Sequence, residues 1–179
     1  MDTARLFSTL ELFGAEVDRA EEHLSLQSGC AEWTIGQVIR HVVHVQREIT
    51  LSLLRDEEPG RMLGMLDISD EAAPEAWRAV AEGIRTVVGE RKELSDRFVL
   101  PAFDATVHAW DIRAGLVDAG LAEPLELDSR TLTWLEAFKK HAPEELIRRP
   151  GMFGPEQPTL SAASPTTKFM AWAGRTPLS

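Results

Sequence analysis

An all-α fold is what this sequence predicts, and three observations carry the prediction. Apolar residues recur at three- and four-residue intervals through several long segments, the period of an amphipathic helix. Those segments open on residues that cap helices and close near glycines that stop them. No stretch alternates apolar and polar residues for long enough to make a strand, and there is no internal repeat or low-complexity tract. With 179 residues and 44% hydrophobic composition the chain can bury one substantial core, so residues 1–179 are expected to form a single domain.

Leu6, Leu10, Phe13, Val17, Ala20 and Leu24 make the buried stripe of a first helix, which the sequence extends to about Ser28-Gly29. His23 falls near its end, where an imidazolium suits the helix dipole better than it suits a ligand role. The second helix begins at a capping box, Thr34 with Gln37, flanked by Trp33 and Val38 as a hydrophobic staple. Its stripe runs through Ile35, Val38, Ile39, Val42, Val45, Ile49 and Leu53. At about 100° per residue, His41 lies about 90–100° from the centre of that stripe and His44 roughly 160° from it. His41 therefore borders the core, and His44 is expected to face solvent.

Asp56-Glu57-Glu58-Pro59-Gly60 breaks the pattern, and the apolar but aperiodic loop through Met62, Leu63, Met65 and Leu66 is expected to pack over something. A third helix starts near Pro74 and buries Trp77, Val80, Ala81, Ile84, Val87 and Val88. A fourth starts near Pro101 and ends near Gly120, with Phe103, Val107, Trp110 and Ala114 on one face. A fifth opens at Asp128 or Ser129 and carries Leu132, Leu135 and Phe138. Pro150-Gly151-Met152-Phe153-Gly154-Pro155 reads as a loop. A last short helix has Ser164 as N-cap, Pro165 in its first turn and Gly174 as its stop. Residues 125–179 thus pack on a bundle formed by the first four helices.

Charge and cysteine count narrow the function. The excess of 29 acidic over 19 basic residues gives a net charge of −10, which repels phosphate backbones and argues against nucleic acid as a partner. A single cysteine, Cys30, excludes an intrachain disulfide. It follows a glycine in a loop with no adjacent base, and it reads as a spare small residue. No signal peptide and no membrane-spanning stretch is recognisable, so a cytoplasmic protein is expected.

The chemistry concentrates on the fourth helix. Asp104 and His108 are four residues apart, so their side chains converge on one point. His41, from a facing helix, completes a set of two nitrogens and one oxygen that leaves room for water or substrate on a divalent ion. Catalytic zinc keeps such an open position, and the same donor set suits non-haem iron or another divalent ion. Asp111, three residues from His108, is either an acceptor for an imidazole N–H or a partner of Arg113 or of a backbone donor. There is no phosphate-binding loop, CxxC, HExxH or nucleophile elbow.

Trp33-Thr34-Ile35-Gly36-Gln37-Val38-Ile39-Arg40-His41-Val42-Val43 resembles the W-T-V-x-x-L-x-x-H-L-V signature of DinB-like helical bundles. It is similar in particular to the metal-binding N-terminal domain of mycothiol-dependent maleylpyruvate isomerases. Val107-His108-Ala109-Trp110-Asp111-Ile112 resembles that group's V-H-G-W-D-L helix, and Asp104 stands where the family carries an acidic ligand, usually Glu. Phe153-Gly154-Pro155 and Ala173-Gly174-Arg175-Thr176-Pro177 resemble an uncharacterised, mostly actinobacterial branch. The resemblance implies an up-and-down four-helix bundle with extra C-terminal helices and a metal on His41, Asp104 and His108. It also implies an external thiol such as mycothiol as co-substrate, a small electrophile as acceptor, and leaves a homodimer open. The sequence stops at Ser179 without the isomerase's second domain, so maleylpyruvate isomerisation itself is not expected. Two function classes follow: a metal-dependent, thiol-using transferase or isomerase, and a metal-stabilised binding or regulatory module without turnover.

Overall fold

The structure, a computed structural model, describes residues 1–142, 144–148 and 152–178. Arg149, Pro150 and Gly151, part of the C-terminal loop read from the sequence, lie outside the described residues. Among the described residues there is no strand, and the fold is all-α. The helices are α1 (Thr3–Ala20), α2 (Ile35–Val45), α3 (Ala73–Val88), α4 (Val99–Asp118), α5 (Ser129–His141), α6 (Glu144–Ile147) and α7 (Pro165–Trp172). None is long and apolar enough to cross a membrane.

α1 starts where the Asp2 carboxylate accepts from the Arg5 N–H. It stops at Ala20, earlier than the apolar stripe suggests. Leu24 still packs against the core from outside the helix, so the hydrophobic pattern outlasts the hydrogen-bond ladder. The chain instead turns across α4, where the Gly29 N–H donates to the Asp111 carbonyl at 2.8 Å. Gln27 and Ser28 press on Gly115, where an added methyl group would strike the Gln27 carbonyl. Gly115→Ala should therefore lower stability by about 1–3 kcal/mol through overpacking. Chemical denaturation checks this; an unchanged midpoint would mean that the 27–29 loop is free to lift off.

α2 opens on the capping box: Thr34 accepts from the Gln37 N–H, and the Gln37 side chain accepts from the Thr34 N–H at 2.9 Å. The helix does not run straight to Leu53. A π-helical turn, Gln46–Leu51, interrupts it before a last turn, Ser52–Leu54. One extra residue in a turn delays every later side chain by one position. Leu54 is accordingly the fully buried residue, while Leu53 is only half-buried. The wide turn is tied down by buried polar groups. The Gln46 side chain donates to the Pro101 carbonyl at 2.9 Å, and the Thr50 hydroxyl donates to Gln46 at 2.8 Å.

α3 follows a short 3-10 turn, Asp70–Ala72, and carries Pro74 in its first turn. α4 follows another, Asp96–Phe98, with Pro101 in its first turn, and Gly120 beyond its end has φ 72°. α1 packs on α3 and α4, and α2 packs on the same two helices. Fifteen of the 20 residues of α4 are buried, so this helix faces protein on nearly every side. On one side Ala105, Ala109, Ile112 and Leu116 join the core made with α1, α2 and α3. On the other, Phe103, Val107, Trp110 and Ala114 form a second core with residues from α5, α6 and α7. Phe103 stacks on Phe138 with ring centroids 4.2 Å apart. α5 is capped by Asp128, and α7 by Ser164 with Pro165 in its first turn. Gly174, at φ 84°, turns the chain out of α7, and its backbone lies so close to that of Gly154 that no side chain fits between them.

Candidate metal centre

The packing of α2 on α4 brings together side chains 63 and 67 residues apart in sequence. One donor atom from each of His41, Asp104 and His108 lies within 4.8 Å of the other two. The Asp104 carboxylate stands 3.5 Å from His41 Nε2 and 3.6 Å from His108 Nε2. These separations exceed good hydrogen bonds. They are close to the edge of a tetrahedron built on metal–ligand bonds of 2.0–2.2 Å, about 3.3–3.6 Å. The other carboxylate oxygen, Oδ2, is buried with no hydrogen-bond partner, the only such side-chain oxygen or nitrogen among the described residues. A buried orphan acceptor costs about 1–3 kcal/mol and calls for an explanation. A cation supplies one.

Both imidazoles are oriented from behind. His41 Nδ1 donates to the Gly64 carbonyl at 2.7 Å, so the aperiodic loop after Gly60 does pack over the second helix. A carbonyl can only accept, so the proton sits on Nδ1 and the Nε2 lone pair points inward. His108 Nδ1 lies 2.8 Å from Asp111 Oδ2 and donates to it, which leaves its Nε2 free as well. The Trp33 indole roofs both rings, its centroid 4.8 Å from that of His41 and 5.8 Å from that of His108. All three donor residues are about 4% exposed.

Electrostatics follow from this burial. Burial disfavours charge on His41, but the Asp104 carboxylate and the Gly64 carbonyl outweigh it and raise its pKa above 6.5. Burial also pushes Asp104 upward, but the two histidines beside it hold it below 3.8. Asp111, fully buried, feels the same upward push. The Arg175 guanidinium, bound to both its oxygens at 3.0 and 2.7 Å, together with the His108 hydrogen bond holds its pKa down at about 2. A folded pKa below the ordinary carboxylate value means that Asp111 adds stability above about pH 4, and that this is lost as pH falls towards 2. In a carboxyl-detected NMR titration, Asp111 should therefore change near pH 2. A midpoint near 4 would contradict the geometry.

A cavity of about 370 Å³ opens onto the three donors. Its wall is soft and mostly apolar: Trp33, Met62, Leu63, Met152 and Phe153, with Glu32, Arg175 and Thr176 as the polar exceptions. Cys30 also lines it, which places the thiol nearer the chemistry than its loop position suggested. Burial pushes that thiol up to about 11, so at neutral pH it stays protonated and inert.

Asp111 takes the role of acceptor for an imidazole, while Arg113 pairs with Glu16 instead, at 2.7 Å for each of two bonds. His44 is half-buried rather than solvent-facing. Its Nε2 donates to the Arg61 carbonyl at 3.1 Å, and its ring rests on Gly64, because the covering loop reaches over that side of α2. His141 is exposed at the end of α5, and His23 lies beyond α1. Trp33 and Arg175 entered the sequence reading only as a helix staple and as part of a motif. Only the tertiary structure puts them at the site. No family model, curated protein or solved structure matches the chain.

Proposed function

We propose that this protein is a divalent-metal-dependent enzyme that uses a low-molecular-weight thiol on a small electrophile. The observation that carries the metal is the Asp104 carboxylate, with its unpartnered oxygen, between two imidazoles whose Nδ1 protons are already spent on Gly64 and Asp111. Two nitrogens and one oxygen suit zinc, with nickel, iron and manganese as alternatives. The donor group has three members, which supports an ion with a further position facing the cavity. A divalent ion there would favour the thiolate form of a bound thiol, the nucleophile that transfer or isomerisation needs.

The protein's own residues supply the rest. His41, Asp104 and His108 hold the ion, and Trp33 and the methionines shield it from bulk water. The cavity, at about 370 Å³, is within the size range of small-molecule sites. Cys30 stays protonated at neutral pH, so an external thiol, mycothiol or one like it, is the natural source of the sulfur. The resemblance to thiol-dependent isomerases at residues 33–43 and 107–112 points the same way. The competing reading is a metal-stabilised binding module without turnover, which a fourth protein ligand would favour.

Elemental analysis of the purified protein comes first, with one divalent ion per chain expected. Metal-loaded protein is then screened with mycothiol and other small thiols against model electrophiles, beside a metal-free control. Thiol consumption above that control supports the enzyme. Bound metal with no turnover for any pair would leave the binding module as the better account.

A further inference from the structure

The metal centre does not end at α4. Arg175 sits beyond α7, 64 residues from Asp111, yet its guanidinium is buried with Nε 3.0 Å from Asp111 Oδ1 and Nη2 2.7 Å from Oδ2. Asp111 spends one of those same oxygens, Oδ2, on His108 Nδ1. The guanidinium thus fixes the carboxylate in two places, and the carboxylate fixes the tautomer and tilt of the imidazole. Arg175 is itself fixed. Its Nη1 donates to the Ala173 carbonyl at 2.9 Å, its backbone N–H to the Met170 carbonyl at 2.9 Å, and its guanidinium lies 5.0 Å from the Phe153 ring centroid. Gly174 against Gly154 sets the turn that aims it.

We infer that Arg175 is a positioning residue of the metal centre, and that the segment after α7 and the bound ion stabilise one another through Asp111 and His108. The inference rests on His41, Asp104 and His108 holding a metal. An imidazole free to flip offers the ion a lone pair only part of the time, and an Asp111 without its guanidinium partner is free to rotate. Loss of such a supporting contact costs metal affinity about 10–100-fold. By linkage the same factor returns as tighter docking of residues 173–176 when the metal is bound.

The test uses the full chain and Zn²⁺, with competition against a chromogenic chelator as readout. Arg175→Met should weaken Zn²⁺ binding about 10–100-fold, and Arg175→Lys should recover part of the loss. Arg113→Met, which breaks a different buried ion pair on the same helix, should lower stability without changing Zn²⁺ affinity. Amide exchange at residues 173–176 should slow on Zn²⁺ addition in the wild type, and slow less in Arg175→Met. In the metal-free proteins, long-range ¹H–¹⁵N spectra should show His108 as the single Nδ1–H tautomer in the wild type and as a mixture in Arg175→Met.

That spectrum separates the two claims. A wild type that binds no Zn²⁺ overturns the metal reading, and with it the coupling to the C-terminal segment. A His108 tautomer unchanged in Arg175→Met overturns the positioning role, whatever the metal does. Equal Zn²⁺ affinity in wild type and Arg175→Met does the same.

Discussion

His41→Ala and His108→Ala should each lose most of the bound metal, while His44→Ala keeps it. A structural zinc site yields about 10–16 kcal/mol from four ligands at neutral pH, so one imidazole contributes roughly 3 kcal/mol, about a hundredfold or more in affinity. His44 lies on the same helix, but its Nε2 is committed to the Arg61 carbonyl and its ring to Gly64. The three variants therefore differ in which donor they remove, not in which helix they disturb. Metal content after dialysis, and chelator competition, provide the comparison. Similar losses at His41 and His44 would mean that the variants act through α2 stability and not through coordination. Affinity should also fall in acid. The pKa of His41 is raised above 6.5, and the metal must displace its proton, so binding strengthens as pH rises through that range.

Asp104→Asn should produce two opposite changes: metal binding is lost, and, in alkaline buffer where imidazoles carry no charge to offset the buried carboxylate, the metal-free protein becomes more stable. Asp104 is a fully buried carboxylate whose Oδ2 has no partner and whose Oδ1 stands 3.5 and 3.6 Å from two imidazoles. Both imidazoles present lone pairs inward. Neutral asparagine relieves the burial of charge, and its amide N–H groups can donate to those lone pairs. A gain of about 1–2 kcal/mol, or a few °C in the unfolding midpoint of a chain this size, is the expected result. If Asp104 served only as a structural ion-pair partner for His41, the same substitution would remove attraction and lower the midpoint. The sign of the change in metal-free protein therefore decides between a ligand and a strut. Wild type should gain the larger amount on metal addition, about 3 kcal/mol at a free concentration a hundred times Kd, whereas Asp104→Asn should gain little.

The helices were legible in the sequence wherever a local signal marked them. Thr34 with Gln37, Asp128, and Ser164 with Pro165 each set a start that the structure keeps, because a cap is decided by residues three or four apart. Asp104 and His108 were legible as a pair for the same reason, one turn apart on one helix. His41 needed more: its place at the border of an apolar stripe showed that it could look inward, but the covering carbonyl of Gly64 comes from a loop with no period to read. The end of α1 was misread because Leu24 continues the hydrophobic pattern after the helix has stopped. Arg175 was out of reach altogether. Nothing local distinguishes it from other arginines, and its meaning comes from Asp111, 64 residues away. Asp111 itself carried two readings, because His108 and Arg113 are both near it in sequence. Burial of Glu16 beside Arg113 decides between them.

The wide turn at Gln46–Leu51 separates α2 from the last helical turn, Ser52–Leu54, and the two have separate obligations. Upstream, the helix must hold His41 at one angle towards Asp104. Downstream, Leu54 must meet the core. A continuous α-helix would gear these together, since a one-residue change in length turns everything beyond it by about 100°. The π turn supplies the one-residue offset between them, so His41 keeps its bearing while Leu54 rather than Leu53 meets the core, with Gln46 holding the Pro101 carbonyl across the turn.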